Sequence, residues 1–229
     1  MLTRIFMALG LAALPFTPAT ATSSCAADAM LVFDGSVSMA EISFDIQDAT
    51  RIVDARVAIR RAMPDVEKFR RIGLITYGPG DSACSGINLR FPPISNAADR
   101  VIAEVDAMVP EGLTPLAASV ERAAEVLDYR INPAIVVLVT DGNETCGGTP
   151  CALATSMMDQ AADLTVHVIG FKVVRDFFSW DNPEQKDYFE GDTVAKCLSD
   201  RTGGKFVSTE TVDELTEALR ETLGCALIG

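Results

Sequence analysis

Ile135-Val136-Val137-Leu138-Val139, followed at once by Thr140-Asp141-Gly142, is the stretch on which the fold turns. Five consecutive β-branched or leucine residues cannot alternate between core and solvent. They mark a strand buried on both faces, the habit of a parallel sheet covered by helices. A second such run, Ala29-Met30-Leu31-Val32-Phe33, stops at Asp34, and a third, Ile72–Tyr77, stops at Gly78-Pro79-Gly80. Ile87–Phe91 follows the third closely enough to be its antiparallel neighbour. Between and after these strands the apolar spacing turns helical: residues Ala49–Met63, Ala97–Met108, Leu116–Tyr129, Ala152–Leu164, Thr193–Thr202 and Val212–Leu223. Strands Thr165–Phe171 and Lys205–Ser208 complete the pattern. The order β-α-β-β-α-α-β-α-β-α-β-α predicts a three-layer α/β fold. Its central sheet is mostly parallel, with one antiparallel edge strand and helices on both faces.

The chain has 229 residues, 48% of them apolar and 22% charged, which suits a globular domain with a sizeable core. Nineteen basic residues against 32 acidic ones give a net charge of −13, which repels nucleic acid and gathers cations. One histidine excludes chemistry that needs a His pair or a multi-His cage. Residues 1–21 read as a signal peptide: Arg4 near the start, an apolar run from Ile5 to Leu14, and Ala19-Thr20-Ala21 at the cleavage point. That run is too short to span a membrane as a permanent anchor, and no second long apolar run follows. Residues 22–229 are therefore expected to form a single exported domain, periplasmic or secreted, with the oligomeric state left open. The six cysteines at 25, 84, 146, 151, 197 and 225 all survive cleavage and point to disulfides in an oxidising compartment.

Chemistry gathers where the strands end. In an open α/β sheet, ligands collect outside the carboxyl ends of strands. Asp34-Gly35-Ser36-Val37-Ser38 lies there after the first strand, and Asp141 lies there after the most apolar one. Gly112-Leu113-Thr114-Pro115-Leu116 adds a hydroxyl on a turn between helices. Carboxylates and hydroxyls are hard oxygen donors, suited to Mg²⁺, Mn²⁺ or Ca²⁺. Together, D-x-S-x-S, the turn threonine and T-D-G resemble the von Willebrand factor type A (VWA) family and its metal-ion-dependent adhesion site. That resemblance covers about Ala26 to Leu223 and implies a Rossmann-like fold. It also implies Ser36 and Ser38 as direct hydroxyl ligands, with Thr114, Asp34 and Asp141 ligating directly or through water. A protein partner would offer a carboxylate to the metal.

Other features carry less. Cys25 and Cys225 flank the first strand and the last helix, and are expected to pair at the far end of the sheet. Cys146 and Cys151 are close enough in sequence for a short disulfide beside the metal rim, with a zinc site as the alternative. His167 sits between valines in a strand and reads as a core histidine with one hydrogen bond. Asn143-Glu144-Thr145 matches a glycosylation acceptor. The long connection from Lys172 to Asp192 carries five aromatics and reads as a partner-contact lid or a small cluster of its own. Two rival readings remain: a disulfide-braced domain without a functional metal, and a phosphatase-like enzyme of the haloacid dehalogenase type with Asp34 as nucleophile. The second lacks an acid-base group, since Ser36 stands where a second Asp is wanted. The reading taken is a non-enzymatic, metal-dependent binding module.

Overall fold

A computed structural model describes residues 25–41, 49–173 and 194–225. Strands β1 (Asp28–Asp34), β2 (Ile72–Tyr77), β3 (Ile87–Ile94), β4 (Pro133–Thr140), β5 (Asp163–Phe171) and β6 (Phe206–Thr209) form one sheet in the order β3-β2-β1-β4-β5-β6. All pairings are parallel except β2 with β3, which makes β3 the antiparallel edge. Every residue of β2 is buried, and β4 is buried from Ala134 to Thr140, as unbroken apolar runs require.

Helices α1 (Arg51–Val66), α2 (Ala98–Ala107) and α6 (Val212–Leu223) cover one face. Helices α3 (Leu116–Val126), α4 (Pro150–Met158) and α5 (Lys196–Thr202) cover the other. β1 divides its side chains between the two cores: Ala29, Leu31 and Phe33 face the first, and Met30 and Val32 the second. The chain leaves β1 for β2 on one side and reaches β4 on the other. The topological switch point, where a crevice opens at the carboxyl ends, therefore lies between β1 and β4.

Three expectations from the sequence need correction. The fourth helix does not run to Leu164. It caps at Asp159, and β5 starts at Asp163, where Leu164 pairs with Ala134 and is buried as a strand residue. Cys146 and Cys151 do not pair with each other. Cys146 lies on the loop after β4 and bonds Cys84, with their Cα atoms 5.7 Å apart. Cys151 lies in the first turn of α4, buried against α5, and bonds Cys197 at 5.1 Å. The zinc alternative for these thiols falls with that pairing. A 3-10 turn at Val37–Ala40, absent from the sequence reading, carries the chain out of the Asp34 loop.

The third bridge, Cys25–Cys225, joins the two ends of the fold as expected. Beside it the buried Arg70 donates to the carbonyls of Ala27 (3.3 Å) and Gly224 (2.8 Å). On chain-entropy grounds a bridge closing so long a loop is worth about 4–5 kcal/mol. Residues 1–21 and most of the aromatic connection, 174–192, lie outside the described residues, so the signal peptide and the lid are left as sequence readings.

His167 makes the one hydrogen bond anticipated, Nδ1 accepting from the Lys205 amide at 3.0 Å, but it is half-buried and stands outside both cores. Burial first, then the charges of Lys205 and Arg70, push its pKa down to about 4. The unfolded chain therefore takes up a proton near pH 6.5 that the folded chain refuses until about pH 4. This group's stability is present above pH 6.5 and is lost as pH falls through that window. His167→Asn keeps an acceptor but cannot titrate. Its melting temperature is expected to fall less steeply than the wild type's between pH 6.5 and 4. Parallel curves by calorimetry would show that His167 is not held neutral by the fold.

Candidate metal centre

Asp34 is the last residue of β1, completely buried, and the chain must turn sharply after it. Gly35 permits that turn. Its amide donates to the Tyr77 carbonyl at 2.8 Å, and a Cβ added there would stand 2.8 Å from the same oxygen. The Asp34 side chain then organises the loop. Oδ1 accepts from the Ser36 amide (2.8 Å) and hydroxyl (2.6 Å). Oδ2 accepts from Tyr77 Oη (2.8 Å) and Thr140 Oγ1 (2.7 Å). Burial and the Asp34 charge raise the Tyr77 pKa well above the ordinary phenol range, so its hydroxyl remains a donor.

Asp141 follows β4 on the other side of the switch point and is held in the same manner. Its Oδ1 accepts from Ser38 Oγ at 2.8 Å, and its Oδ2 faces Arg51 Nη1 at 3.3 Å. Ser36 Oγ and Ser38 Oγ are 2.9 Å apart. Each carboxylate thus gives one oxygen to fixed protein donors and turns the other toward the serines. The result is a continuous run of four oxygens: Asp34 Oδ1, Ser36 Oγ, Ser38 Oγ and Asp141 Oδ1.

The third element of the set, the Thr114 turn, is tied in through its backbone. The Val37 amide donates to Gly112 O (3.1 Å) and the Glu111 amide to Gly35 O (2.9 Å). Gly112 adopts φ +76°, a left-handed conformation that favours glycine. On the other flank Thr114 N donates to Thr145 Oγ1 (2.8 Å), and Thr145 N donates to Thr114 O (3.1 Å). The Leu113 amide reaches Ala83 O at 2.8 Å, and Cys84–Cys146 links these two flanking loops to each other. The Thr114 hydroxyl itself makes no hydrogen bond among the described residues. Four of the five expected residues therefore share one side-chain network, and Thr114 joins them through its main chain only.

Four contributors were not anticipated. Tyr77 and Thr140 fix Asp34, and Arg51 bridges Asp141 to the Ser38 carbonyl (2.7 Å). Glu144 is the fourth: its buried carboxylate accepts from the Ala117 amide in the first turn of α3 and from the Cys146 amide, both at 2.8 Å. The glycosylation-like triplet is thereby engaged by the fold, with Asn143 Oδ1 buried as well.

Two observations bear on whether a cation suits these oxygens. Adjacent ligands of an octahedral Mg²⁺ at 2.0–2.1 Å stand about 2.9 Å apart. The three spacings in the oxygen run, 2.6, 2.9 and 2.8 Å, are those of hydrogen-bonded hydroxyls and carboxylates and are compatible with that separation. Second, burial and then the neighbouring Asp34 charge push the Asp141 pKa up to about 7, against the pull of Ser38 and Arg51. A cation relieves that kind of crowding. Among the described residues no cluster of three His, Cys, Asp or Glu exists, so the donor set is one of hydroxyls and two carboxylates. The residues fit a hard divalent ion.

A family model for the von Willebrand factor type A domain matches residues 29–144, half of the chain and all three elements of the candidate metal site. The chain belongs to the von Willebrand factor type A family. This VWA chain is 30% identical over 112 residues to the uncharacterized protein YwmD of Bacillus subtilis, covering 48% of this chain and 43% of that protein. It spans less than half the length of the curated relatives it matches. Among solved structures, an aerotolerance-related membrane protein from Bacteroides fragilis superposes with a TM-score of 0.60 at 17% identity. That match covers 86% of this chain and 98% of the other. The pilus adhesin SpaC from Lactobacillus rhamnosus gives a TM-score of 0.65 at 13% identity, over 86% of this chain and 30% of the adhesin. At such identities the likeness speaks for the VWA fold alone.

Glu144→Ala would leave two amides without their acceptor, one of them at a helix start. Losses of this kind cost about 1–3 kcal/mol. At this chain length each kcal/mol lowers the melting temperature by about 2–4 °C. A variant melting within a degree of wild type would show that water replaces the carboxylate at no cost.

Proposed function

We propose that this chain is an exported, divalent-metal-dependent interaction module in which Asp34, Ser36, Ser38, Thr114 and Asp141 hold Mg²⁺, Mn²⁺ or Ca²⁺ and a protein partner completes the ion with a carboxylate. The observation that carries the reading is the run of four hydroxyl and carboxylate oxygens, each within 2.9 Å of the next. Its two end carboxylates are each anchored by their second oxygen, so the set is preorganised. Mg²⁺ keeps waters readily and exchanges one for a carboxylate, which is the chemistry of gripping an acidic side chain.

The surroundings suit a protein partner. Val37 and Leu113, neighbours of the ligating serines and threonine, are 55% and 38% exposed. Apolar side chains around a polar centre are the composition of an interface core. With a net charge of −13, the chain favours a partner whose acid sits within a basic surround. Three disulfides fit an oxidising compartment outside the cytosol, and no helix of the described residues is long and apolar enough to cross a membrane. A pilus adhesin shares the fold, and adhesion of that general kind is part of this proposal. A phosphatase-like role for Asp34 is disfavoured by its environment. Both of its oxygens are committed, to Tyr77 and Thr140 on one side and to Ser36 on the other, which leaves a poor nucleophile.

The test is a thermal melt of the oxidised protein in EDTA, then in millimolar Mg²⁺, Mn²⁺ or Ca²⁺, with Ser36→Ala/Asp141→Ala alongside. An ion at a hundred times its dissociation constant adds about 2.7 kcal/mol, several degrees at this size. The wild type is expected to shift and the double variant not to. If neither shifts, even with an acidic partner or added carboxylate, the rim is a set of structural caps and the chain is a disulfide-braced domain without functional metal.

A further inference from the structure

Arg51 is the first residue of α1, buried to 3% exposure, and it lies against the candidate site. A cation at a helix N-terminus opposes the helix dipole. Its Nε is moreover buried without a hydrogen-bond partner among the described residues, a cost native proteins seldom leave unexplained. Its Nη1 meets three acceptors: the Ser38 carbonyl (2.7 Å), Glu41 Oε2 (3.1 Å) and Asp141 Oδ2 (3.3 Å). Glu41 is 63% exposed at its side chain, so water screens most of that charge. The Asp141 side chain is fully buried, and no other cation is paired with it or with Asp34 among the described residues.

Within the side-chain network of the oxygen run the charges are therefore −1 for Asp34, −1 for Asp141 and +1 for Arg51; the buried Glu144 carboxylate is held outside that network by the Ala117 and Cys146 amides. A divalent ion placed among them leaves a surplus of one positive charge, which a single carboxylate removes. We propose that Arg51 is a fixed internal cation that keeps the site one charge short of neutralising its own metal, so that the ion is held firmly only when an external carboxylate joins it. This rests on the metal reading and deepens it. In the same contact Arg51 occupies Asp141 Oδ2 and leaves Oδ1 to the serines, so Asp141 offers one oxygen and cannot chelate with both. Arg51 is thus a tuning and positioning residue for capture of an acidic partner.

Mn²⁺ binding by calorimetry tests this, in chloride and with chloride replaced by acetate, on the wild type, Arg51→Gln and Arg51→Lys. Gln keeps a donor and loses the charge; Lys keeps the charge and loses the planar fork. Melts in EDTA establish that each variant is folded. Removing a unit charge several Å from a partly buried ion is expected to tighten Mn²⁺ binding about tenfold or more in Arg51→Gln. Arg51→Lys should stay near wild type. Acetate should strengthen Mn²⁺ binding by the wild type and Arg51→Lys, and do so far less for Arg51→Gln. If Gln and Lys both weaken binding, Arg51 only positions the loop and the charge proposal fails. It fails too if acetate has no effect on wild-type affinity, a result that needs no variant to fold. Absence of Mn²⁺ binding by the wild type at every acetate concentration would instead overturn the metal reading, and this proposal with it.

Discussion

Two carboxylates, Asp34 and Asp141, stand at the ends of neighbouring parallel strands with almost no water to separate their charges. The topology produces this pairing. β1 and β4 are adjacent at the switch point, in register from Asp28 with Ala134 to Phe33 with Val139, so the residues that follow emerge side by side. Burial, and then the charge of Asp34 held this way, raise the cost of ionising Asp141. The surroundings answer with donors: Tyr77, Thr140 and Ser36 for Asp34, and Ser38 and Arg51 for Asp141. Nearly every local feature of the rim follows from that need. The glycine turn brings the Ser36 amide inward, the 3-10 turn presents Ser38, and α1 begins with an arginine where a helix would ordinarily prefer an acid.

The loops outside this pair are held by a second principle, covalent and backbone bracing with little side-chain chemistry. The Thr114 turn lies between Ala83 and Thr145, bonded to each through amides and carbonyls, and the Cys84–Cys146 bridge closes the frame around it. Cys151–Cys197 similarly joins the starts of α4 and α5, and Cys25–Cys225 secures the opposite end of the sheet with the help of Arg70. A small domain that keeps a polar rim with two buried like charges gains little core packing there. Cross-links that restrict the unfolded chain are an effective remedy in an oxidising compartment.

The sheet was legible because its signal is written in consecutive residues. Runs such as 72–77 and 135–139 have one physical use, and the helix over Val212–Leu223 shows its period and its Thr211–Glu214 capping box openly. The site was half legible for the opposite reason. Asp34, Ser36, Ser38 and Asp141 fall at strand ends within short motifs, whereas Arg51, Tyr77 and Glu144 act across the fold from positions that look ordinary locally. Arg51 reads as one more polar residue of an amphipathic helix, and Tyr77 as the end of an apolar strand. Each nevertheless carries a faint local sign: a cation in a first helical turn, and a phenol in a wholly buried strand that must find an acceptor. The α4 boundary misled because Ala161 and Ala162 in the connection and Leu164 in the strand prolong the helix's apolar pattern. The cysteine pairs followed tertiary proximity, which spacing in the sequence does not encode.

On the proposed reading, the balance of charge at the rim gives the fold its functional direction. A site with two carboxylates and no internal cation would neutralise a divalent ion and have no electrostatic reason to recruit anything further. A site with a full complement of basic residues would not attract the ion at all. One buried arginine against two buried aspartates lies between these cases, in a surface acidic enough to gather cations from solution. The guanidinium is suited to this role because it stays charged when buried and fixes its partners by direction, which a lysine ammonium does less rigidly. Arg51 bridges the Ser38 carbonyl and Asp141 at once, so the residue that sets the charge of the site also holds the spacing between its two halves.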